Sequence, residues 1–168
     1  MKNCSKKLKY TLIIFYLLAI LMVNYGCSNR GNFKHATEFQ ETPVVKEKWH
    51  WGNPEKQSNS AGYAQAVKVG NTVYISGVPS NELTPEGLAS LYKSLEESLN
   101  AFGASPNDVV KETLYTVDIE KMKTLNDVRK KFYQGDYPAA SWVQINRLYE
   151  SNAKVEVDLI AVITDTNK

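Results

Sequence analysis

The run Val155-Glu156-Val157-Asp158-Leu159-Ile160-Ala161-Val162 alternates apolar and acidic residues before turning wholly apolar. Such alternation predicts a strand over about Lys154–Thr164, with its acids on the polar side. Upstream, Tyr137-Pro138-Ala139-Ala140-Ser141-Trp142 leads into another strand, expected over Ser141–Leu148. Ala140 and Trp142 stand two residues apart and therefore share one face.

Working outward from these two strands, the chain alternates between strand and helix periods. Lys46–Trp51 alternates polar and aromatic residues and reads as a half-buried strand, stopped by Gly52-Asn53-Pro54. Residues 55–61 read as a loop. Tyr63–Val69 and Thr72–Ser76 form a hairpin about Gly70-Asn71, a pair that tolerates positive φ. Pro79–Leu83 reads as loop. Thr84-Pro85-Glu86 is a helix start, with Thr as cap and Pro at the first position. Leu88, Leu91, Leu95, Leu99 and Phe102 then recur at helical spacing up to Gly103. Asp108–Asp118 reads as a long strand. A second helix is expected from about Lys121 to Gln134, with Met122, Leu125, Val128 and Phe132 as its apolar stripe and Gly135 as its stop. Six strands with two intervening helices predict an α+β domain, a mixed sheet with both helices on one face.

The first 26 residues carry a different signal. Lys2, Lys6, Lys7 and Lys9 precede an apolar run, Leu12–Val23, of signal-peptide size and too short for a comfortable membrane span. Asn24-Tyr25-Gly26-Cys27 follows. Small Gly26 before Cys27 resembles a bacterial lipobox, with Asn24 where Leu is usual. The expected organisation is a signal peptide at 1–26, a lipidated Cys27 with a polar tether to residue 43, and a folded domain over 44–165. The mature protein would be extracytoplasmic, held to the bacterial cell envelope by lipid. The other cysteine, Cys4, would leave with the signal, so no disulfide or thiol chemistry remains.

Processing also reverses the charge balance. The whole chain has 20 Lys+Arg against 18 Asp+Glu. Removing residues 1–26 takes away four lysines and no acid, leaving 16 against 18. No basic cluster suggests a nucleic-acid surface. His35 and His50 lack a cysteine or acidic cluster at ligand spacing, so no metal site is expected. There is no Gly-rich phosphate loop, no Gly-x-Ser-x-Gly elbow, and no cofactor signature.

Several segments together resemble the Rid family, the reactive-intermediate deaminases also called YjgF or RidA-like and formerly L-PSP endoribonucleases. Pro138-Ala139-Ala140-Ser141 resembles the family's Pro-Ala-Arg-Ser, and Val155–Ala161 its Val-Glu-Ile-Glu-x-Ile-Ala. Gly62–Val67 resembles Gly-Pro-Tyr-x-Gln-Ala-Val, Ser76-Gly77-Val78 resembles Ser-Gly-Gln, and Leu125-Asn126-Asp127-Val128 resembles Val-Asn-x-Val. The resemblance implies a YjgF/chorismate-mutase-like fold and a homotrimer with clefts between subunits. It also implies that Tyr63, Gly77 and Asn126 line the cleft and that Glu156 positions the hydrolytic water. Two departures stand out. Ala140 replaces the arginine that grips a substrate carboxylate, and Trp142 stands where a smaller residue is usual. Arg147, seven residues beyond Ala140, is too far along the strand to substitute.

The missing arginine favours a small-molecule-binding member whose cleft, around Tyr63, Gly77, Asn126, Ala140 and Trp142, has become more apolar and has lost 2-imino-acid deaminase activity. The alternative is a hydrolase of enamines or imines that retains Glu156 as its catalytic group. An endoribonuclease is disfavoured by the absence of a basic surface.

Overall fold

The computed structural model describes residues 43–164, all within one compact unit, Pro43–Lys168. Residues 1–42, where the signal peptide, lipidated Cys27 and most of the tether are expected, lie outside the described residues. Six strands form one sheet: β1 (Lys46–Trp49), β2 (Ala66–Val69), β3 (Thr72–Ser80), β4 (Val109–Thr116), β5 (Ala139–Gln144) and β6 (Val155–Val162), in the order β1-β2-β3-β6-β4-β5. All neighbours are antiparallel except β4 and β5, so the sheet is mixed and β5 is an edge. Three helices, α1 (Pro85–Asn100), α2 (Ile119–Thr124) and α3 (Asn126–Tyr133), complete the α+β fold.

Local chemistry explains most boundaries. The β2–β3 hairpin pairs Val69 with Thr72 around Gly70-Asn71. Only Gly70 adopts positive φ (+58°), so the turn uses one left-handed residue rather than the two the sequence allowed. Thr84 caps α1 by accepting a hydrogen bond from the Gly87 N–H at 3.1 Å, and Pro85 begins the helix. Leu88, Leu95 and Leu99 are completely buried. At about 1.5–3 kcal/mol for each fully buried side chain, this stripe holds α1 on the sheet.

Four expectations need correction. Residues 56–61 are not plain loop but a single π-type helical turn, Lys56–Ala61, closed by left-handed Gly62. Strand β3 runs to Ser80, with a bulge between Ile75 and Val78. Strand β5 spans Ala139–Gln144 and stops well short of Leu148. The expected second helix breaks at Leu125 (φ −102°, ψ 3°) into α2 and α3. Its buried face also differs: α3 buries Arg129 and Tyr133, while Val128 and Phe132 are only partly covered. The reason lies across the core, where β4 points the carboxylate of fully buried Glu112 at α3. The helix turns its polar partners toward that charge.

The sheet has two unlike faces. Val73, Ile75, Leu114, Val155, Val157 and Leu159 face the helices and are buried. Register places Val67, Tyr74 and Ile160, and separately Tyr115, Glu156 and Asp158, on the other face, away from the buried core. Tyr74 is 48% exposed there.

Candidate active site in two halves

Glu156 lies on the uncovered sheet face, between Pro79 on β3 and Tyr115 on β4. The β3 bulge turns the backbone at Gly77 beneath its carboxylate. A Cβ built on Gly77 would stand 1.9 Å from Glu156 Oε1 and 2.6 Å from its Cδ. Gly77 is therefore needed for close approach. Burial, then the charge of Asp158, raises the Glu156 carboxyl above its ordinary value. Tyr115 is raised too, first by burial and then by Asp158.

A cleft of about 390 Å³ opens beside Glu156, lined also by Ala61, Tyr63, Ser76, Gly77, Pro79 and Tyr149. Tyr63 (44% exposed) and Tyr149 (87% exposed) present open aromatic surface to it. The Ser76 hydroxyl is committed to donating to the Ala64 carbonyl at 2.8 Å, so it is not a free nucleophile. A larger groove, about 650 Å³, runs along the start of α1. Its charged lining residues are Glu82, Glu86 and Glu150, with no basic residue to oppose them.

The other anticipated residues sit elsewhere. Parallel pairing sets Ala140 beside Glu112 and Trp142 beside Leu114, on the helix-covered face and so opposite to Glu156. Trp142 packs against the core. Asn126 begins α3, and its Oδ1 is buried without a hydrogen-bond partner. Within one chain, then, Tyr63, Gly77 and Glu156 form one group, while Ala140 and Trp142 lie on the β5 edge strand and Asn126 at the start of α3. Among the described residues, exposed Arg147 bonds only the nearby Tyr149 carbonyl, at 3.4 Å.

The surroundings of Trp142 contain a feature that sequence reading missed. Arg129 donates from Nε to Glu112 Oε1 at 2.7 Å. Tyr133 and Tyr92 donate their hydroxyls to Glu112 Oε2 at 2.5 and 3.3 Å. The guanidinium carbon lies 5.0, 5.8 and 6.0 Å from the ring centroids of Tyr133, Trp142 and Tyr137, within cation–π range. Burial pulls the Arg129 pKa down, but the Glu112 hydrogen bond and charge outweigh it and leave it raised. Burial, with Glu112 next, pushes both tyrosine hydroxyls well above their ordinary value. The available signal was a charged residue at each of two core-facing positions: Glu112 alternating with Leu114, and Arg129 one turn beyond Leu125.

A small α+β domain with one sheet face turned away from the core and a partly buried carboxylate over a glycine bulge defines a class of compact proteins with a cleft at the sheet surface. The sequence matches the Endoribonuclease L-PSP family over residues 55–163, more than half of its 168 residues. The chain belongs to that family, also known as the Rid or YjgF family. It is 38% identical over 109 residues to the 2-iminobutanoate/2-iminopropanoate deaminase of Bos taurus, covering 60% of this chain and 79% of that protein. A deaminase of the same name from Dermatophagoides farinae is 36% identical over 110 residues, covering 60% and 85%. Among solved structures, RidA of an Antarctic Psychrobacter shares 34% identity at a TM-score of 0.56, covering 60% of this chain and 88% of that one. A YjgF-family protein of Mycobacterium tuberculosis shares the fold at a TM-score of 0.64 and 22% identity, covering 71% and 100%.

Proposed function

We propose that this chain is a hydrolytic deaminase of imines or enamines, with Glu156 as its acid–base group. The observation that carries the reading is the setting of Glu156: half-buried, raised in pKa and seated over Gly77 in a cleft wide enough for a small molecule. A carboxylate raised toward neutrality is a better proton acceptor near the working pH. Water adds to the C=N carbon as one of its protons passes to Glu156, which returns that proton to nitrogen. The carbinolamine then gives its hydroxyl proton, through Glu156, to the amine. The C–N bond breaks, leaving a carbonyl and ammonia. The names of relatives 36–38% identical support the same chemistry. The competing reading, a binding module without turnover, rested on the absent arginine at position 140. The direct test generates imine in place with an amino-acid or amine oxidase and follows its loss with and without the protein. Acceleration is expected, and its absence with every imine tried would return the binding module to first place.

Gly77→Ala gives a sharper check. The new Cβ would stand 1.9 Å from Oε1, 2.6 Å from Cδ and 2.7 Å from Cγ of Glu156, so the carboxylate arm must swing away from Cγ outward, and kinetics are compared on a variant shown to be folded by circular dichroism. Misplacing a reacting group by about 1 Å can cost about 100-fold, and a loss of that order in kcat/KM is expected.

The site is proposed to be completed in a homotrimer. The sheet face with Tyr74, Val67 and Ile160, and the orphaned Asn126 Oδ1, are surfaces that a second copy would cover or satisfy. Trimerisation would also let the β5-edge group of one subunit meet the Glu156 group of another. Analytical ultracentrifugation is expected to give a trimer, and a monomer at micromolar concentration would sink this part of the proposal.

The lipid-anchored, extracytoplasmic location belongs to the same proposal and rests on residues 1–27 of the sequence. Two or more acyl chains on Cys27 would anchor the protein stably. Cys27→Ser should move it from the membrane to the soluble fraction of fractionated cells. Retention in the membrane would favour an uncleaved apolar anchor.

A further inference from the structure

Glu112 binds Arg129 through Nε alone, and its second oxygen is occupied by two phenols. A guanidinium meant only to neutralise its partner would offer two parallel hydrogen bonds from one edge. Here neither Nη group has another partner among the described residues, and neither is sealed from solvent, although the residue is only 7% exposed. The rings of Tyr133, Trp142 and Tyr137 hold the guanidinium by its surroundings. Tyr137 (53% exposed) and Ala140 leave the assembly open at the β5 edge. Ala140 pairs with Glu112 in the sheet, so the carboxylate that holds Arg129 Nε stands opposite the position where the arginine of the resembling motif is missing.

We propose that Arg129, reaching from α3, is a carboxylate-binding residue of this protein, its two Nη groups gripping one small planar carboxylate at the β5 edge. The small side chain of Ala140 leaves room for that ligand, and Trp142 braces the guanidinium rather than merely filling space. The deaminase reading supplies the reaction, and this site would supply the grip on any carboxylate that the substrate carries. The anion site itself does not depend on that reading.

The test measures binding of 2-oxobutanoate, the carboxylate-bearing product analogue, and of 2-butanone, its carboxylate-free counterpart, by calorimetry on the full chain in non-ionic detergent. Arg129→Gln alone strands a buried Glu112 charge and risks unfolding. The paired variant Glu112→Gln/Arg129→Gln removes both charges together, a replacement that proteins tolerate far better. Native protein is expected to bind 2-oxobutanoate, and the paired variant, folded by circular dichroism, to bind it about 10- to 100-fold more weakly. Butanone binding should be equal in both. Adding Ala140→Arg to the paired variant should restore part of the loss. Equal 2-oxobutanoate affinity in native and paired-variant protein, or none in the native, overturns the inference. Turnover of a carboxylate-free imine made by an amine oxidase, if abolished by Glu156→Gln, would keep the deaminase reading alive even then. Conversely, carboxylate binding that depends on Arg129 with no turnover of any imine would sink the deaminase and spare the anion site.

Discussion

Glu156→Gln is expected to lower kcat/KM for imine hydrolysis by about 100- to 10,000-fold, the usual contribution of a positioned acid–base group. The substitution keeps size and hydrogen-bonding shape, so folding should survive. The native pH profile carries a second signature. Glu156 must be ionised to accept the water proton, so activity falls as pH drops through its pKa. Because burial and Asp158 raise that pKa, the acid limb should stand above the ordinary glutamate value. Asp158→Asn removes the smaller of the two causes and should move the limb toward lower pH without abolishing it. The stability sign is opposite to that of a salt-bridged acid. With its folded pKa above its unfolded one, ionised Glu156 opposes folding, with no penalty below the unfolded pKa and the whole of it above the folded pKa. Glu156→Gln should thus stabilise the fold at neutral pH while it removes activity. A retained kcat/KM would place the chemistry on another residue.

Glu112→Leu should produce the largest loss of stability from a single substitution. The side chain is fully buried and satisfies Arg129, Tyr133 and Tyr92 together. Removing it leaves a buried guanidinium unpaired, a defect that costs about 3–5 kcal/mol. That is a large part of the roughly 5–15 kcal/mol total of a domain, and for one this small it should lower the melting temperature by more than 10 °C. The paired change Glu112→Gln/Arg129→Gln should recover most of the loss, because neither charge then remains. Equal destabilisation in the single and paired variants would mean that shape, not charge, holds the cluster. The tyrosines add an alkaline limit. Their hydroxyls are raised by burial and by Glu112. Above about pH 10 the unfolded chain releases phenol protons that the folded chain still holds, so stability falls as pH rises further. Tyr133→Phe, which cannot titrate, should flatten part of that fall in a chemical-denaturation series.

The candidate site was legible to unequal degrees. Glu156 could be found as an acid in an alternating strand, and Tyr63 and Gly77 through a motif resemblance. Each lies within a short segment that keeps most of its pattern, although Val78 stands where the motif has Gln and no Pro separates Gly62 from Tyr63. Arg129 carries only a weak signal, its place one turn beyond Leu125, and the sequence presents it among Lys130, Lys131 and Asp127, where a solvated helix face is the natural reading. Its meaning comes from Glu112, 17 residues away and across the core. Ala140 and Trp142 read as a lost anchor and a filled pocket. The structure supplies a cation beside them that the strand alone could not reveal.

What the sequence by itself determined is the set of events that depend on neighbours a few residues apart. These are the hairpin at Gly70-Asn71, the Thr84 cap, the leucine stripe of α1, the period-two pattern of β6, and the family motifs. Periodicity, φ preference and capping chemistry act over one or two turns and leave their mark in order along the chain. The tertiary structure alone decided where the bulge at Gly77 brings backbone under Glu156, where the second helix breaks at Leu125, and which face of α3 is buried. It also decided that the anticipated site residues divide between two faces of one sheet. Those outcomes depend on strand register and on the cost of leaving a buried charge unpaired, which are properties of elements packed together rather than of any one segment.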